Sequence, residues 1–283
     1  MKIEFLGSGG AITTPQPGCR CRVCVEARQR GAPYSRTGPS VFVHGPDLLI
    51  DTPEEIKSQL NRAGLGFIPA CTYSHWHPDH VMGRRVWEMN KDWRGWPPHD
   101  RQSDIYLPQQ VAADFRERLG SWENFEFLAS QNLVRLHVLQ DGEAFTLGRT
   151  RVLPVRLAAD YVYAFLLEEE GKRVLIAPDE LVGWDPPQTV RGLDLAVLPM
   201  GVPEFDPFTG ARMVPAEHPV LQVEATLDFT LEVARKLQAK RVIMTHIEEP
   251  FGLSHDDLQR LGAKLQADGS NIDFAYDTLQ VEA

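Results

Sequence analysis

The segment of residues 74–80 constrains this chain most, because it reads Ser-His-Trp-His-Pro-Asp-His directly after an apolar run. At the end of a strand, His75 and His77 would share a face, since strand side chains alternate with a period of two. The proline would break the strand, and Asp79 and His80 would then turn back toward the same point. Three imidazoles and a carboxylate this close together suit zinc, manganese or iron. The segment therefore predicts a metal site at a strand end.

Two distant residues have matching positions in the sequence. Asp179 follows the apolar run 174–177, and His246 follows the apolar run 242–244 and one threonine. Each lies just past the C-terminal end of a predicted strand, where α/β folds place their ligand sites. We therefore expect Asp179 and His246 to join the histidine segment as metal ligands.

Strand-like runs alternate with amphipathic segments along the chain, and no repeat, low-complexity tract or linker divides it. This alternation predicts a layered α/β fold. A length of 283 residues allows one or two domains. Because ligands at 75–80, 179 and 246 must converge, we expect a single domain over residues 1–283. Residues 84–98, with three tryptophans and two prolines, depart from the alternation, and we interpret them as an irregular loop or lid.

Charge and hydropathy limit the partners that this chain can have. Lys and Arg total 29 against 39 Asp and Glu, which gives a net charge of −10. Proteins that track nucleic acid usually carry a basic face, so we expect no long nucleic acid as a partner, whereas a small phosphorylated substrate is compatible. No window reaches the roughly 18 consecutive apolar residues of a membrane span. The first residues also lack a signal-peptide pattern, and we expect a cytoplasmic protein with no membrane partner.

Three of the four cysteines, Cys19, Cys21 and Cys24, lie within six residues of one another. In a reducing compartment such clustering more often indicates a metal site than disulfides. Three thiolates at this spacing can reach one tetrahedral zinc ion. We therefore expect the cysteine-rich knuckle over residues 18–36 to bind a metal ion.

Together these features resemble the metallo-β-lactamase superfamily of metal-dependent hydrolases. The resemblance is carried by His75-x-His77-x-Asp79-His80, Asp179, His246, the Leu-Gly-Ser-Gly-Gly turn at residues 6–10, and Asp51 at the end of a strand. It implies a four-layer αββα sandwich with the metal ions at one edge of two facing sheets. It also implies one or two zinc or manganese ions at the active site, with Asp79 as the catalytic residue among the ligands.

The cysteine segment is similar, more narrowly, to that of the phosphoribosyl cyclic phosphodiesterases of phosphonate breakdown, which carry a Cys-x-Cys-x-x-Cys structural zinc site at the same place. In those enzymes the fourth ligand is a histidine three residues after the last active-site histidine. That position is Glu249 in this chain. A carboxylate can ligate zinc, and Cys71, His218 and His255 are further candidates for the fourth ligand.

Two positions depart from the family pattern. The superfamily places a histidine about 21 residues before the aspartate at 179, where this chain has Ala158, and Asp160 could replace it if the loop bends toward the metal. The phosphodiesterases place a catalytic histidine 22 residues before the last metal ligand, where this chain has Glu224. Glu224 could be a general acid if burial raised its pKa, or it could simply begin a helix. His218 could reach the same pocket.

These observations favour a metal-dependent hydrolase, most specifically a phosphodiesterase for a small cyclic or nucleotide-like phosphoester. Trp87 and the other tryptophans of residues 84–98 would cover the substrate pocket and stack on a base or sugar, or would form an oligomer interface such as that of a homodimer. A thioester hydrolase or a lactamase would use the same metals. The alternative is a non-hydrolytic metal-binding member of the fold, in a carrier or cofactor-biosynthesis role, which the missing histidine at Ala158 favours.

Overall fold

The computed structural model describes residues 1–94 and 99–283, and strands and helices alternate throughout these ranges. The α-helices in them are α1 (Arg22–Arg30), α2 (Ile56–Ala63), α3 (Pro78–Val81), α4 (Gln109–Glu117), α5 (Ser121–Ser130), α6 (Val220–Val223), α7 (Leu227–Leu237) and α8 (His255–Ala267). Short 3₁₀ helices cover Met82–Asn90, Gln188–Val190 and Glu249–Phe251. None of the helices in the described ranges has the length and apolar character needed to cross a membrane.

The strands form two sheets with seven strands each in the described ranges. The first sheet has the order β14-β1-β2-β3-β4-β5-β6, made of β1 (Lys2–Gly7), β2 (Ser40–His44), β3 (Leu48–Ile50), β4 (Ala70–Thr72), β5 (Ser103–Pro108), β6 (Val134–Leu139) and β14 (Gln280–Glu282). The second has the order β13-β12-β11-β10-β9-β8-β7, made of β7 (Phe145–Leu147), β8 (Thr150–Arg156), β9 (Tyr163–Glu169), β10 (Lys172–Ile176), β11 (Leu195–Pro199), β12 (Val242–Thr245) and β13 (Ile272–Phe274).

Each sheet contains a block of parallel strands, and these blocks position the functional site. Strands β3 to β6 pair in parallel in the first sheet, and strands β10 to β13 do so in the second. Parallel neighbours end at the same edge of a sheet, so the loops that follow them lie side by side. The residues after β3, β4, β10 and β12 are therefore brought to two adjoining edges.

Alternate side chains of the second sheet belong to two different cores. Phe165 on β9 joins a buried cluster with Phe5 of the first sheet, and this cluster extends outward to Phe115 of α4. Leu166, the next residue of β9, joins a second buried cluster with Val233 of α7. Because strand neighbours point to opposite faces, the order of layers is helix, sheet, sheet, helix. The predicted αββα sandwich is confirmed.

The tryptophan-rich segment differs from its prediction. Met82–Asn90 form a 3₁₀ helix rather than an irregular loop. Trp87 is fully buried in the core, and its Nε1 donates a hydrogen bond to Tyr73 Oη over 3.0 Å. The placement of Trp87 in a substrate pocket is therefore wrong, because its one polar atom is satisfied inside the core. Trp93 is 78% exposed, and Trp96 lies outside the described residues.

Candidate metal centre

The ends of three strands bring the predicted metal ligands together. His75 follows β4, Asp179 follows β10, and His246 follows β12 directly, with a positive φ of 54°. The two sheets are joined at this point, because Tyr163 N at the start of β9 donates a hydrogen bond to Ser74 O over 3.0 Å. The parallel strands of both sheets thus deliver their C-terminal loops to one place.

The side chains form two groups of donor atoms that share one aspartate. Within the described residues, each of the following groups has donor atoms that all lie within 4.8 Å of one another: His75, His77 and Asp179, and then Asp79, His80 and His246. Asp179 contacts both groups, with Oδ2 3.2 Å from His75 Nε2 and Oδ1 3.4 Å from His246 Nε2. One carboxylate could therefore bridge two ions.

The chemistry of these groups fits bound cations. The Nε2 atoms of His75, His80 and His246 are buried and make no hydrogen bond within the described part of the chain. Burial and the neighbouring His75 lower the pKa of His77 to about 4, so its imidazole is neutral at pH 7, which is the form that binds metal. Burial opposes the ionisation of Asp179, but the surrounding histidines outweigh it and hold its pKa below the ordinary range. Imidazoles with carboxylates suit zinc, manganese or iron.

A second shell of buried polar groups orients the histidines. Asp51 Oδ2 lies 2.8 Å from His80 Nδ1 and accepts a hydrogen bond from Ser74 Oγ over 2.6 Å. Ser74 Oγ in turn lies 3.0 Å from His75 Nδ1. With Nδ1 engaged, Nε2 of both rings faces the centre, as is usual for metal-binding histidines. The sequence analysis noted Asp51 only as an aspartate at a strand end, and the structure shows that it contacts His80 and Ser74.

A cavity of about 460 Å³ opens beside Asp179 and His246, and Glu224 lines it. Glu224 does not begin a helix, because Thr226 is the N-cap of α7 and accepts a hydrogen bond from Phe229 N. Its side chain is exposed toward this cavity. Desolvation there and the neighbouring Glu180 carboxyl group raise the pKa of Glu224 to about 8, so the acid is protonated at pH 7.

Two further cavity residues bear on the sequence predictions. His218 lines the same cavity as Glu224, as expected from its position in the sequence. Glu180, which follows Asp179, was missed by the sequence reasoning. Because adjacent side chains on an irregular loop have no fixed relative direction, no sequence signal marked it.

Aromatic side chains border the donor group of His75, His77 and Asp179. The Tyr161 ring lies 5.5 Å from the His77 ring, and the Trp76 ring lies 4.7 Å from it. The guanidinium of Arg118 lies 4.4 Å from the centre of the Trp76 ring. Tyr161 was also missed, because only the closure of the loop between β8 and β9 brings it to the histidines.

No nearby side chain of the described residues replaces the metal-binding histidine that the family has at the position of Ala158. Ala158 and Asp160 are both exposed, and neither belongs to a donor group among the described residues. The hypothesis that Asp160 replaces the histidine is therefore wrong in this structure, because its loop turns the carboxylate to solvent. The group of His75 and His77 has Asp179 as its third protein donor.

The knuckle cysteines meet one carboxylate from a distant loop. Glu249 Oε1 lies 3.2 Å from Cys19 Sγ, 2.9 Å from Cys21 Sγ and 3.1 Å from Cys24 Sγ. Burial and Glu249 raise the pKa of Cys24 to about 12, so this thiol needs a cation in order to ionise near neutral pH. Four such donors suit a tetrahedral zinc ion.

The other candidates for the fourth ligand lie elsewhere. Cys71 is buried within β4, His218 lines the cavity, and His255 packs edge-on against Tyr34 and Tyr276. None of them belongs to the cysteine group in the described ranges.

Comparisons with known proteins agree with this architecture. A family model described as a beta-lactamase superfamily domain matches residues 44–247. The crystal structure of a diphosphatase from the PhnP family has a TM-score of 0.70 and 24% identity, over 100% of this chain and 97% of that one. Zn²⁺-bound PqqB from Methylobacterium extorquens has a TM-score of 0.70 and 18% identity, over 100% of both chains. At these identities the two structures support the fold alone.

A curated relative matches a shorter stretch. An octanoyltransferase of Porphyromonas gingivalis is 32% identical over 120 residues, which make up 42% of this chain. The matching stretch spans 23% of that relative's length.

Proposed function

The chain belongs to the metallo-β-lactamase superfamily, and we propose that it is a metal-dependent hydrolase that cleaves a small phosphodiester. Members of this superfamily are mostly metal-dependent hydrolases. The observation that carries the proposal is the pair of donor groups shared by Asp179. Two divalent ions held by neutral imidazoles and two carboxylates would keep an excess of positive charge. Such a centre favours an anionic reacting group, as a phosphodiester has.

Each of the two ions would have its own set of ligands. His75, His77 and Asp179 would hold one ion, and the group of Asp79 and His80 with the histidine after β12 would hold the other together with Asp179. When bound, zinc or manganese supplies Lewis-acid chemistry and lowers the pKa of coordinated water toward neutrality.

Two carboxyl groups would handle protons beside the ions. We assign to Asp79 the role of orienting the attacking water, because His80 and His246 overcome its burial and keep the carboxylate ionised as an acceptor. Glu224 would donate its proton to the leaving oxygen, since it lines the cavity and is protonated at pH 7.

We assign a structural zinc ion to Cys19, Cys21, Cys24 and Glu249. Glu249 lies three residues after His246, so this ion would anchor the loop that carries an active-site ligand. Backbone bonds support the same loop, with Ile247 N donating to Ser8 O over 2.9 Å. Thiolates in this role require a reducing compartment, which is consistent with the expected cytoplasmic location.

A second candidate is a non-hydrolytic metal-binding protein with a carrier or cofactor-biosynthesis role. The observation that favours it is the exposure of Ala158 and Asp160, which leaves the group of His75 and His77 with one carboxylate as its third donor. A weakly held ion there would compromise a two-ion hydrolysis.

Metal analysis combined with an assay separates the two candidates. The protein is loaded with Zn²⁺ or Mn²⁺, its ions are counted, and hydrolysis of bis(p-nitrophenyl) phosphate is measured. We expect two active-site ions and turnover that Asp179→Ala abolishes, whereas Asp160→Ala, an exposed carboxylate on a neighbouring loop, retains it. Full occupancy without turnover with either ion would overturn the hydrolase proposal and support the second candidate.

A further inference from the structure

The cavity beside Asp179 and His246 has mostly apolar walls. Its lining includes Val202, Pro203, Val214 and Phe251, which come from the loops after β11 and β12. Its volume of about 460 Å³ is within the range of sites that enclose a small organic molecule. Any part of the substrate that extends from the reacting group into this cavity would be transferred from water to an apolar surface.

Apart from His218 and the metal-ligand candidate His246, the ionisable side chains that line the cavity are carboxyl groups. Glu180, Glu224 and Glu248 line it next to Asp179, and none of its described lining residues is a lysine or an arginine. Phosphate and carboxylate groups are normally held by arginine, lysine or a metal ion. Away from the ions, a second anionic group on the substrate would therefore meet carboxyl groups and no lysine or arginine of the described lining. The cavity disfavours nucleotides that carry additional phosphates.

The segments that build the wall also expose apolar side chains. Met213, which lines the cavity, has 42% of its surface exposed, and Val223 on α6 has 62% exposed. Large exposed apolar residues beside an apolar cavity extend the surface on which a flexible apolar group can lie. The apolar surface thus continues outward from the metal centre.

We propose that this cavity binds an uncharged, apolar alkyl substituent of the substrate, so that the hydrolysed phosphodiester carries one hydrophobic arm and no second anionic group. This inference rests on the proposed hydrolase function only for the identity of the reacting group. The arm itself is selected by Val202, Val214 and Met213 and by the absence of lysine and arginine along the described lining.

The test measures binding, so that it does not depend on turnover. Calorimetry on the zinc-loaded protein uses methyl(alkyl)phosphinates, monoanions whose two P–C bonds resist hydrolysis, with methyl, butyl and octyl chains, and an octyl chain that ends in a carboxylate. Because each methylene that enters an apolar site strengthens binding by up to about fourfold, we expect the octyl compound to bind at least tenfold more tightly than the methyl compound. The carboxylate-terminated chain should lose this gain.

Two variants locate the binding surface. Met213→Glu adds a charge at the exposed mouth, where folding tolerates it, and should reduce the octyl-to-methyl affinity ratio at least fivefold. The matched control is Phe127→Glu on α5, which is 58% exposed and does not line the cavity, and it should keep the ratio. Equal affinity for all chain lengths, or equal loss in both variants, would overturn the inference. Chain-length preference without hydrolysis of bis(p-nitrophenyl) phosphate would refute the hydrolase proposal and leave this inference standing.

Discussion

Asp51 Oδ2 lies 2.8 Å from His80 Nδ1, and neither side chain is exposed to solvent. Because a carboxylate can only accept, His80 donates from Nδ1, and a cation bound between His80 Nε2 and Asp79, which lie 3.3 Å apart, would take the lone pair of Nε2. Asp51 has a φ of 64°, a left-handed conformation that aspartate and asparagine adopt more readily than most residues. This conformation turns the carboxylate from the end of β3 toward the metal centre.

The variant Asp51→Asn tests this orienting role. Asparagine keeps the shape and tolerates the positive φ, but its neutral amide holds the His80 tautomer less firmly. We expect affinity for the ion at Asp79 and His80 to fall about 10- to 100-fold, measured by competition with a chelator. The control is Asp104→Asn, which alters an aspartate 2.7 Å from His137 Nε2 away from both donor groups. Unchanged affinity in Asp51→Asn would contradict the role.

The two active-site ions should differ in stability. The group of His75 and His77 has Asp179 as its third donor, whereas the group of Asp79 can share Asp179 in addition to its own three donors. We expect stepwise chelation to remove one ion well before the other. His77→Ala should abolish the weaker binding step and keep the stronger one. Simultaneous loss of both ions at one chelator concentration would argue against unequal sites.

Part of this site could be predicted from local sequence alone. His75 and His77 share a face because strand side chains alternate, and Asp179 and His246 were found because parallel strands end at a common edge. Those rules need only the order of elements and their periods. The alternation of elements predicted only a layered α/β fold, whereas the αββα architecture came from the resemblance of these landmarks to the metallo-β-lactamase superfamily.

Other features depend on how the chain closes in space. The sequence showed that Trp87 belongs to an aromatic segment, but not which face of the Met82–Asn90 helix would enter the core beside Tyr73. Tyr161 and Glu180 reach the site through loop paths that no periodicity encodes. The choice of Glu249 over His255 as neighbour of the cysteines likewise depends on the turn that follows His246.

The cysteine site should contain one further metal equivalent. Cys21→Ser removes a ligand at an exposed position, so the fold should survive while about one equivalent of zinc is lost. Because Glu249 is on the loop of His246, we also expect weaker binding of the ion at His246 and a lower melting temperature. Cys71→Ala, at a buried cysteine outside the group, is the control for metal content. Equal zinc content in Cys21→Ser and the unaltered protein would contradict this assignment.

The raised pKa of Glu224 predicts an alkaline limit to the hydrolytic activity. The carboxyl is protonated below about pH 8, because desolvation and the neighbouring Glu180 carboxyl group raise its pKa, and only this form can protonate a leaving oxygen. Activity on a dialkyl phosphate should therefore fall as the pH rises through about 8. Glu224→Gln should remove that limb and lower kcat about 100-fold or more, measured by phosphorus NMR.

The leaving group distinguishes proton donation from a structural role of Glu224. The p-nitrophenolate anion leaves without a proton, so Glu224→Gln should lower the hydrolysis of bis(p-nitrophenyl) phosphate less than tenfold. Glu217→Gln, at an exposed position outside the cavity lining, should leave both substrates and the pH profile unaffected. An equal loss on the alkyl and aryl diesters would show that Glu224 shapes the cavity rather than donating a proton. Because the aryl diester still reports an intact metal centre, a fall in kcat on the alkyl diester alone, with KM unchanged, indicates the loss of proton donation to the leaving oxygen, whereas a rise in KM alone indicates weaker binding of the alkyl group in the cavity.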